Sequence, residues 1–236
     1  MGVLLLERTS RSTRLTAAGE VLLAEGRTVV ETVAAATRRT QRAGSPGRRL
    51  VVTTKPGGDA GLLPQILAEY ESRPDALPVE FAFSIQERAA MLRDGRADVG
   101  FLHAPQNDLR GLDSEALVVE RRVLALAENH RLASREALRM ADLADQTMPQ
   151  WPEAADAGPG PRVRDLGELM QLIALGRAVA LVTETAADRP HRGVTYRPVL
   201  DASPTTLVVA WPAGSRSRHV AAFVAAVCAA TGHGPA

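Results

Sequence analysis

Gly44, Ser45, Pro46 and Gly47 form a stretch that no helix crosses easily, because glycine loses backbone entropy and proline removes an amide donor while crowding the preceding turn. It is the clearest domain boundary in the 236-residue chain. Before it, Thr16 is a candidate N-cap and residues 17–43 read as one long helix. The apolar or small residues Leu22, Gly26, Val29, Val33, Ala36 and Thr40 recur at alternating steps of four and three, the seam spacing of a coiled coil. A rod that is polar on its other faces needs a partner to bury that stripe, and a second copy of itself is the simplest one. Leu22, Val29, Val33 and Ala36 are therefore the expected dimerisation residues, with packing on the chain's own globular part as the alternative.

After the break the periodicity changes. Residues 49–54 predict a strand, and 60–71 an amphipathic helix with Leu62, Leu63, Ile66, Leu67 and Tyr70 inward. Residues 78–84 predict a strand alternating Val79, Phe81 and Phe83 with Glu80, Ala82 and Ser84. Residues 86–94 predict a helix closed by Gly95, and 97–102 a further strand. Later come an apolar run near 117–127 and a helix, glycine stop and buried strand across 166–182. Strands at 196–200 and 206–211 and a helix at 219–230 follow. Strand and helix alternating at this pitch predict an α/β fold with a parallel sheet covered on both faces.

Ahead of the rod, residues 4–8 and 13–16 read as two short strands around a polar turn. Arg8, Arg11 and Arg14 alternate there with Thr9, Ser10, Ser12 and Thr13, a chemistry suited to phosphate oxygens and a narrow groove. The overall charge of +1 hides a gradient, since residues 1–49 hold nine arginines against four glutamates. Basic character is thus concentrated in the hairpin and rod.

This hairpin resembles the wing and the start of the linker helix of LysR-type transcriptional regulators, through Gly2, Val3, Leu5, Leu6, Arg8, Arg11, Leu15, Thr16 and Gly19. Leu6 stands where phenylalanine is commoner. The stretch LRDGRADVGFL (92–102) and the stretch LGELMQLIALGRAVALV (166–182) resemble the effector domain of the same family, although Thr183 replaces the proline usual after that last strand. The resemblance implies a two-lobed, type 2 periplasmic-binding-protein-like effector domain at 45–236, a linker helix at 17–44 and a wing remnant of a winged helix-turn-helix at 1–16. Lobe I would hold 48–104 and 194–236 and lobe II 105–193, with hinge crossings near 103–105 and 193–195. It further implies a homodimer, with a tetramer left open, and DNA contact through Arg8, Ser10, Arg11, Ser12 and Arg14. The recognition helix that precedes the wing in this family is not in the sequence, so weak, salt-sensitive DNA binding without base readout is expected. A late start assignment and a shortened product are both compatible with that.

No arrangement typical of an enzyme emerges. The five histidines are scattered, no H-E-x-x-H or C-x-x-C occurs, and KPGGDAG (55–61) lacks the G-K-[ST] ending of a phosphate loop. No metal or cofactor is expected. The lone Cys228 and the lack of a signal or membrane segment suggest a cytoplasmic protein without a membrane partner.

The same residues fit a ligand site better. Thr53, Thr54 and Lys55 end the first strand of the α/β part just before a helix, the edge at which open α/β sheets bind ligands. Ser84, Ile85 and Gln86 precede the next helix, and His103 ends a strand. Thr147, Arg164 and Thr183 are the expected contributions of lobe II. Hydroxyls, one lysine and helix ends suggest a small anionic metabolite such as a carboxylate. A cytosolic solute-binding module without DNA binding shares the fold and stays open as the alternative, and an enzyme on a doubly wound sheet is disfavoured.

Overall fold

The computed structural model describes residues 2–8, 12–44, 47–151 and 160–232. Ser10 and Arg11, Ser45 and Pro46, and residues 152–159 lie outside the described residues. The chain opens with an antiparallel ribbon, β1 (Leu6–Arg8) and β2 (Thr13–Leu15), pairing Leu6 with Leu15 and Arg8 with Thr13. Arg8, Ser12 and Arg14 are exposed on it. The long helix α1 (Ala17–Ala43) follows, capped by Thr16, whose Oγ1 accepts from Gly19 N at 3.0 Å. Thr16 also donates through N to Leu5 O and through Oγ1 to Leu4 O, at 3.0 and 2.7 Å, which fastens ribbon to helix. A Cβ at Gly19 would lie 2.0 Å from Leu5 O, so this close approach requires glycine.

The two halves of α1 differ. Leu22, Val29 and Val33 are exposed together with Val21 and Val30, so the stretch 21–33 carries an apolar face that the described residues do not cover. In the C-terminal half Ala35 is buried against Gly95. Arg38 there donates to Asp94 O at 2.6 Å, and Arg42 pairs with Asp98 at 2.7 Å. The other oxygen of Asp98 accepts from Val51 N at 2.9 Å, tying the end of the rod to the first strand of the globular part. Packing on the chain's own globular part is thus seen in the last turns of the rod, and Ala36, expected in the seam, is exposed beside the docked residue Ala35.

The larger lobe is a five-stranded sheet in the order β4-β3-β5-β10-β6. Its strands are β3 (Leu50–Thr54), β4 (Val79–Phe83), β5 (Val99–Ala104), β6 (Leu112–Glu120) and β10 (Thr205–Pro212). Helices α2 (Leu63–Glu71) and α5 (Arg218–Thr231) cover one face around Val52, Ile66, Tyr70, Phe101, Val209 and Phe223. Helix α3 (Arg88–Arg93) covers the other around Val51, Leu92, Leu102 and Val208. The smaller lobe has strands β7 (Arg122–Ala127), β8 (Ala180–Thr183) and β9 (Val194–Pro198) in the order β8-β7-β9, all antiparallel. Helix α4 (Leu166–Ala174) packs Leu169 and Ile173 on Ala125, Ala180 and Val194, and Asp165 caps it by accepting from Glu168 N at 2.8 Å.

Three expectations are corrected. The large sheet is mixed, because β10 runs antiparallel to both β5 and β6. The crossings between sheets fall at Arg121 and at 199–204, not near 103–105 and 193–195, so β6 belongs to lobe I and β9 to lobe II. The reason lies in the pairing: the apolar run near 117–127 is two strands, one laddered to β10 and the next to β8 and β9, broken by the charged triplet Glu120, Arg121 and Arg122. The strand expected at 196–200 lies two residues earlier, since Val194 is buried opposite Ala127 while Leu200 is exposed.

Candidate functional site

A cleft of about 670 Å³ lies between the two sheets, lined by residues of both lobes. The carboxyl end of β3 delivers Lys55, the first residue of α3 is Arg88, and β5 delivers His103. Across the cleft, Arg122 opens β7 and Thr183 closes β8, while α4 presents Leu166 and Met170. Tyr196 on β9 and Thr205 at the start of β10 complete the wall near the crossings.

Three of the sequence-predicted residues meet there: Lys55, His103 and Thr183. The other seven lie elsewhere for identifiable reasons. Thr53 is buried with Oγ1 donating to Ala82 O at 2.9 Å, and Thr54 is buried with Oγ1 donating to Lys55 O at 3.2 Å, so both hydroxyls serve the strand edge. Ser84 accepts from Glu87 N at 2.9 Å, which consumes it in the turn before α3. Ile85 offers only its carbonyl, to Arg88, and Gln86 is exposed. Thr147 is exposed and uses its carbonyl to accept from Val179 N at 2.9 Å. Arg164 turns to Glu168, where its Nε lies 3.2 Å from the carboxylate.

Sequence reading missed the two arginines and the carboxylate that set the cleft's charge. Arg88 is 4 % exposed. Its Nη1 donates to Phe101 O at 3.1 Å, and Nη2 to Ile85 O and Asn107 Oδ1 at 3.3 and 3.1 Å. Its Nε is buried without a hydrogen-bond partner. Asn107 Oδ1 also accepts from the backbone amide of His103 at 2.9 Å, so one amide ties the Arg88 side chain to the end of β5. Arg122 donates through Nε and Nη2 to the carbonyls of Val182 and Leu181, at 3.3 and 2.6 Å. A signal was present: an arginine opening the otherwise apolar face of a short helix, and a charged triplet inside an apolar run.

Glu120 ends β6 and is 1 % exposed. His103 Nε2 lies 3.3 Å from its Oε2, near enough to attract but off the hydrogen-bond axis, so both imidazole nitrogens and that oxygen lack a hydrogen bond. Its Oε1 accepts from Thr185 Oγ1, which in turn contacts Thr183 Oγ1 at 3.2 Å. The carboxylate therefore joins a histidine of one lobe to threonines of the other.

Burial dominates the titration of these groups. It pushes the Lys55 ammonium down to about 8, with Arg88 and Arg122 repelling it further and Glu120 opposing. It lowers Arg88 to about 10, and it holds His103 below its ordinary value despite Glu120. Burial raises Glu120, but His103, Thr185 and Lys55 outweigh that and leave it below the usual carboxylate range. Four cations, Lys55, Arg88, Arg122 and Arg189, line the cleft against the carboxylate of Asp165, with Glu120 in contact with His103, an excess of positive charge suited to an anion. Among the described residues no group of three or more His, Cys, Asp or Glu is placed to hold a metal ion.

One ion pair spans the mouth. Arg189, from the small lobe, places Nη2 3.5 Å from Asp59 Oδ1. The other oxygen of Asp59 accepts from Leu63 N at 3.4 Å. The Arg189 guanidinium lies over Gly57, at φ +68°, where a Cβ would come 2.4 Å from Nη1.

Residues 43–231 match the LysR substrate binding domain. The chain is 25 % identical over 250 residues to the Hca operon transcriptional activator HcaR of Escherichia coli K12, covering 96 % of this chain and 83 % of that protein. It is 30 % identical over 241 residues to the transcriptional dual regulator OxyR of the same organism, covering 93 % and 79 %. The solved structure of full-length CbnR in complex with its target DNA superposes with a TM-score of 0.59 at 24 % identity, covering 98 % of this chain and 85 % of that one, a likeness of fold. A two-lobed α/β domain with a cleft between its sheets, behind a long helix, agrees with these matches, and the relatives are regulators, not enzymes: the chain belongs to the LysR family of transcriptional regulators.

Proposed function

We propose that the chain senses a small anionic metabolite in the cleft between its lobes and converts occupancy into a change of DNA binding. The observation that carries this reading is the excess of positive charge lining the cleft, Lys55, Arg88, Arg122 and Arg189 against Asp165, with Glu120 beside His103, on elements that belong to different lobes. An anion bridging them stabilises one relative placement of the lobes over others, and only such differential affinity can shift a conformational equilibrium. The Glu120 contacts to His103 and Thr185 lie at one of the two crossings, where a change in lobe angle is absorbed.

The exposed apolar face of α1, with Leu22, Val29 and Val33, fits pairing with a second copy, and tetramers would form from such dimers through the lobes. Arg8 and Arg14 on the ribbon, together with Ser12 and the undescribed Ser10 and Arg11, suit phosphate contacts beside a groove, in line with the CbnR complex. Such contacts alone give weak DNA binding, without base readout and with strong salt dependence. A cytoplasmic location follows from this role, and no described helix is long and apolar enough to cross a membrane.

The test is a thermal-shift screen of the whole chain against small carboxylates, repeated with Lys55→Met. The reading predicts stabilisation by at least one carboxylate that disappears in the variant. A screen whose hits survive that substitution would remove the charge-based assignment.

A further inference from the structure

The two crossings between the sheets converge on one buried carboxylate. Glu120 is the last residue of β6, and in the ladder it stands opposite Thr205, the first residue of β10 after the second crossing. The next residue, Arg121, is the first crossing and is stitched to the small lobe. Its N donates to Glu184 Oε1 at 3.0 Å, and its O accepts from Glu184 N at 2.9 Å. Thr185, one residue further on, donates to Glu120 Oε1. One carboxylate oxygen is thus held from the small-lobe side. The other, Oε2, faces His103 Nε2 on β5 of the large lobe at 3.3 Å and has no hydrogen-bond partner, and neither nitrogen of that imidazole has one.

We infer that the Glu120–His103 contact is a proton-released latch at the pivot between the lobes, joining them while the imidazole is neutral and letting them separate when it takes up a proton. The charges around His103 decide the sign. Lys55 at the end of β3 and Arg88 on α3 repel an imidazolium, Glu120 attracts it, and Arg122 on β7 acts on Glu120 from the small lobe. His103 is 4 % exposed, so a charge on it is poorly solvated. The off-axis approach of Nε2 withholds the charge-assisted hydrogen bond that would offset this. Burial and the two cations outweigh Glu120 and hold the folded imidazole below its ordinary value of 6.5. The joined arrangement therefore binds fewer protons than one in which His103 reaches water, so falling pH favours separation and rising pH favours contact. His103 is the member of this cluster that titrates between pH 7 and pH 5, because Glu120 is held below the usual carboxylate range while Lys55 lies at about 8 and Arg88 at about 10. A displacement at the pivot swings the far ends of the lobes through a larger arc. The Arg189–Asp59 pair across the mouth, at 3.5 Å and with Arg189 exposed, resists that swing weakly. The latch needs no ligand and is independent of the anion reading of the cleft.

Double electron–electron resonance on the whole chain tests this. Spin labels go on Gln86→Cys in the large lobe and Leu175→Cys in the small one, both exposed positions, with Cys228→Ala removing the native thiol. Excess unlabelled chain restricts the reading to distances within one chain. The distribution should shift to a separated arrangement between pH 7 and pH 5, with a midpoint below 6.5. His103→Gln, or His103→Asn if that variant misfolds by circular dichroism, should abolish the shift. His219→Gln should leave it in place, although burial lowers that histidine too. Glu120→Gln should raise the separated population already at pH 7. A wild type without the shift, or a shift that survives in the His103 variant, overturns the latch. Loss of helical circular dichroism over the same pH range also overturns it, since the proton would then drive unfolding and not lobe separation. A Glu120→Gln distribution identical to wild type at pH 7 removes the carboxylate from the device and overturns the pairing.

Discussion

The two lobes face the same cleft with opposite chemistry. The large lobe brings Lys55, Arg88 and the Glu120–His103 pair, each fixed at the end of a strand or the start of a helix in a sheet covered on both faces. The small lobe brings an apolar patch of Leu166, Met170, Leu181 and Val182 beside Arg122, Asp165, Thr183, Arg189 and His191, from a three-stranded sheet and one covering helix. Charge recognition demands rigid placement, because a misplaced charge keeps its desolvation cost and forfeits its partner. Apolar contact tolerates adjustment. On the proposed reading of the cleft, the acid group of a ligand would be selected by the large lobe.

Several changes would break or sharpen this contrast. The largest effect is expected from Phe223→Ala, which empties the centre of the large core where Phe223 meets Tyr70 and Phe101 at centroid separations of 5.2 and 6.4 Å. It should cost about 3–5 kcal/mol in urea unfolding. Next is Lys55→Met, which should reduce affinity for a carboxylate at least about tenfold and also alter the pH dependence of stability. The Lys55 ammonium ordinarily titrates at 10.5 and in the folded chain at about 8. Between those values the folded state binds fewer protons than the unfolded one, so stability rises with pH across that window, and the penalty for burying the charge is fully present below it. The melting temperature of the wild type relative to Lys55→Met should climb from pH 8 to pH 10.5.

Smaller still is Arg189→Ala, which removes the pair across the mouth. Because Arg189 is 57 % exposed, the loss should be within about 1 kcal/mol and seen as faster ligand dissociation, not as lower stability. The smallest effect should come from Thr54→Ala and Ser84→Ala, whose hydroxyls bond to backbone outside the cleft. Their ligand affinity should stay within about twofold of wild type, and a large loss at either would show that the contrast between lobes is drawn in the wrong place.

What the sequence revealed and what it hid follow the same physics. The rod was legible to the residue, Ala17–Ala43 with Thr16 as cap, because capping and periodicity are local. The strands and helices of the large lobe were legible for the same reason. The lobe boundary was not, because Glu120 and Arg122 belong to different sheets, a fact set by pairing with β10 and β9, far along the chain. At the site, Lys55 could be placed from its position after β3, and His103 and Thr183 from their strand ends. Thr53, Thr54 and Ser84 are not among the cleft-lining residues, because a hydroxyl near a strand end is as easily consumed by backbone as offered to a ligand. Arg88 was passed over because an arginine at the start of a helix is ordinarily solvated, and its only signal was the apolar face that it opens.

The central claim, that an anionic ligand is held by Lys55, is tested most directly by proton linkage in calorimetry. At pH 8 the free ammonium is near its midpoint, and a bound carboxylate would drive it to full protonation. Titration of a carboxylate found by the thermal-shift screen, in buffers of different ionisation enthalpy, should therefore show uptake of about half a proton per ligand at pH 8, and none in Lys55→Met. Binding without proton uptake, or uptake unchanged in the variant, would contradict the account.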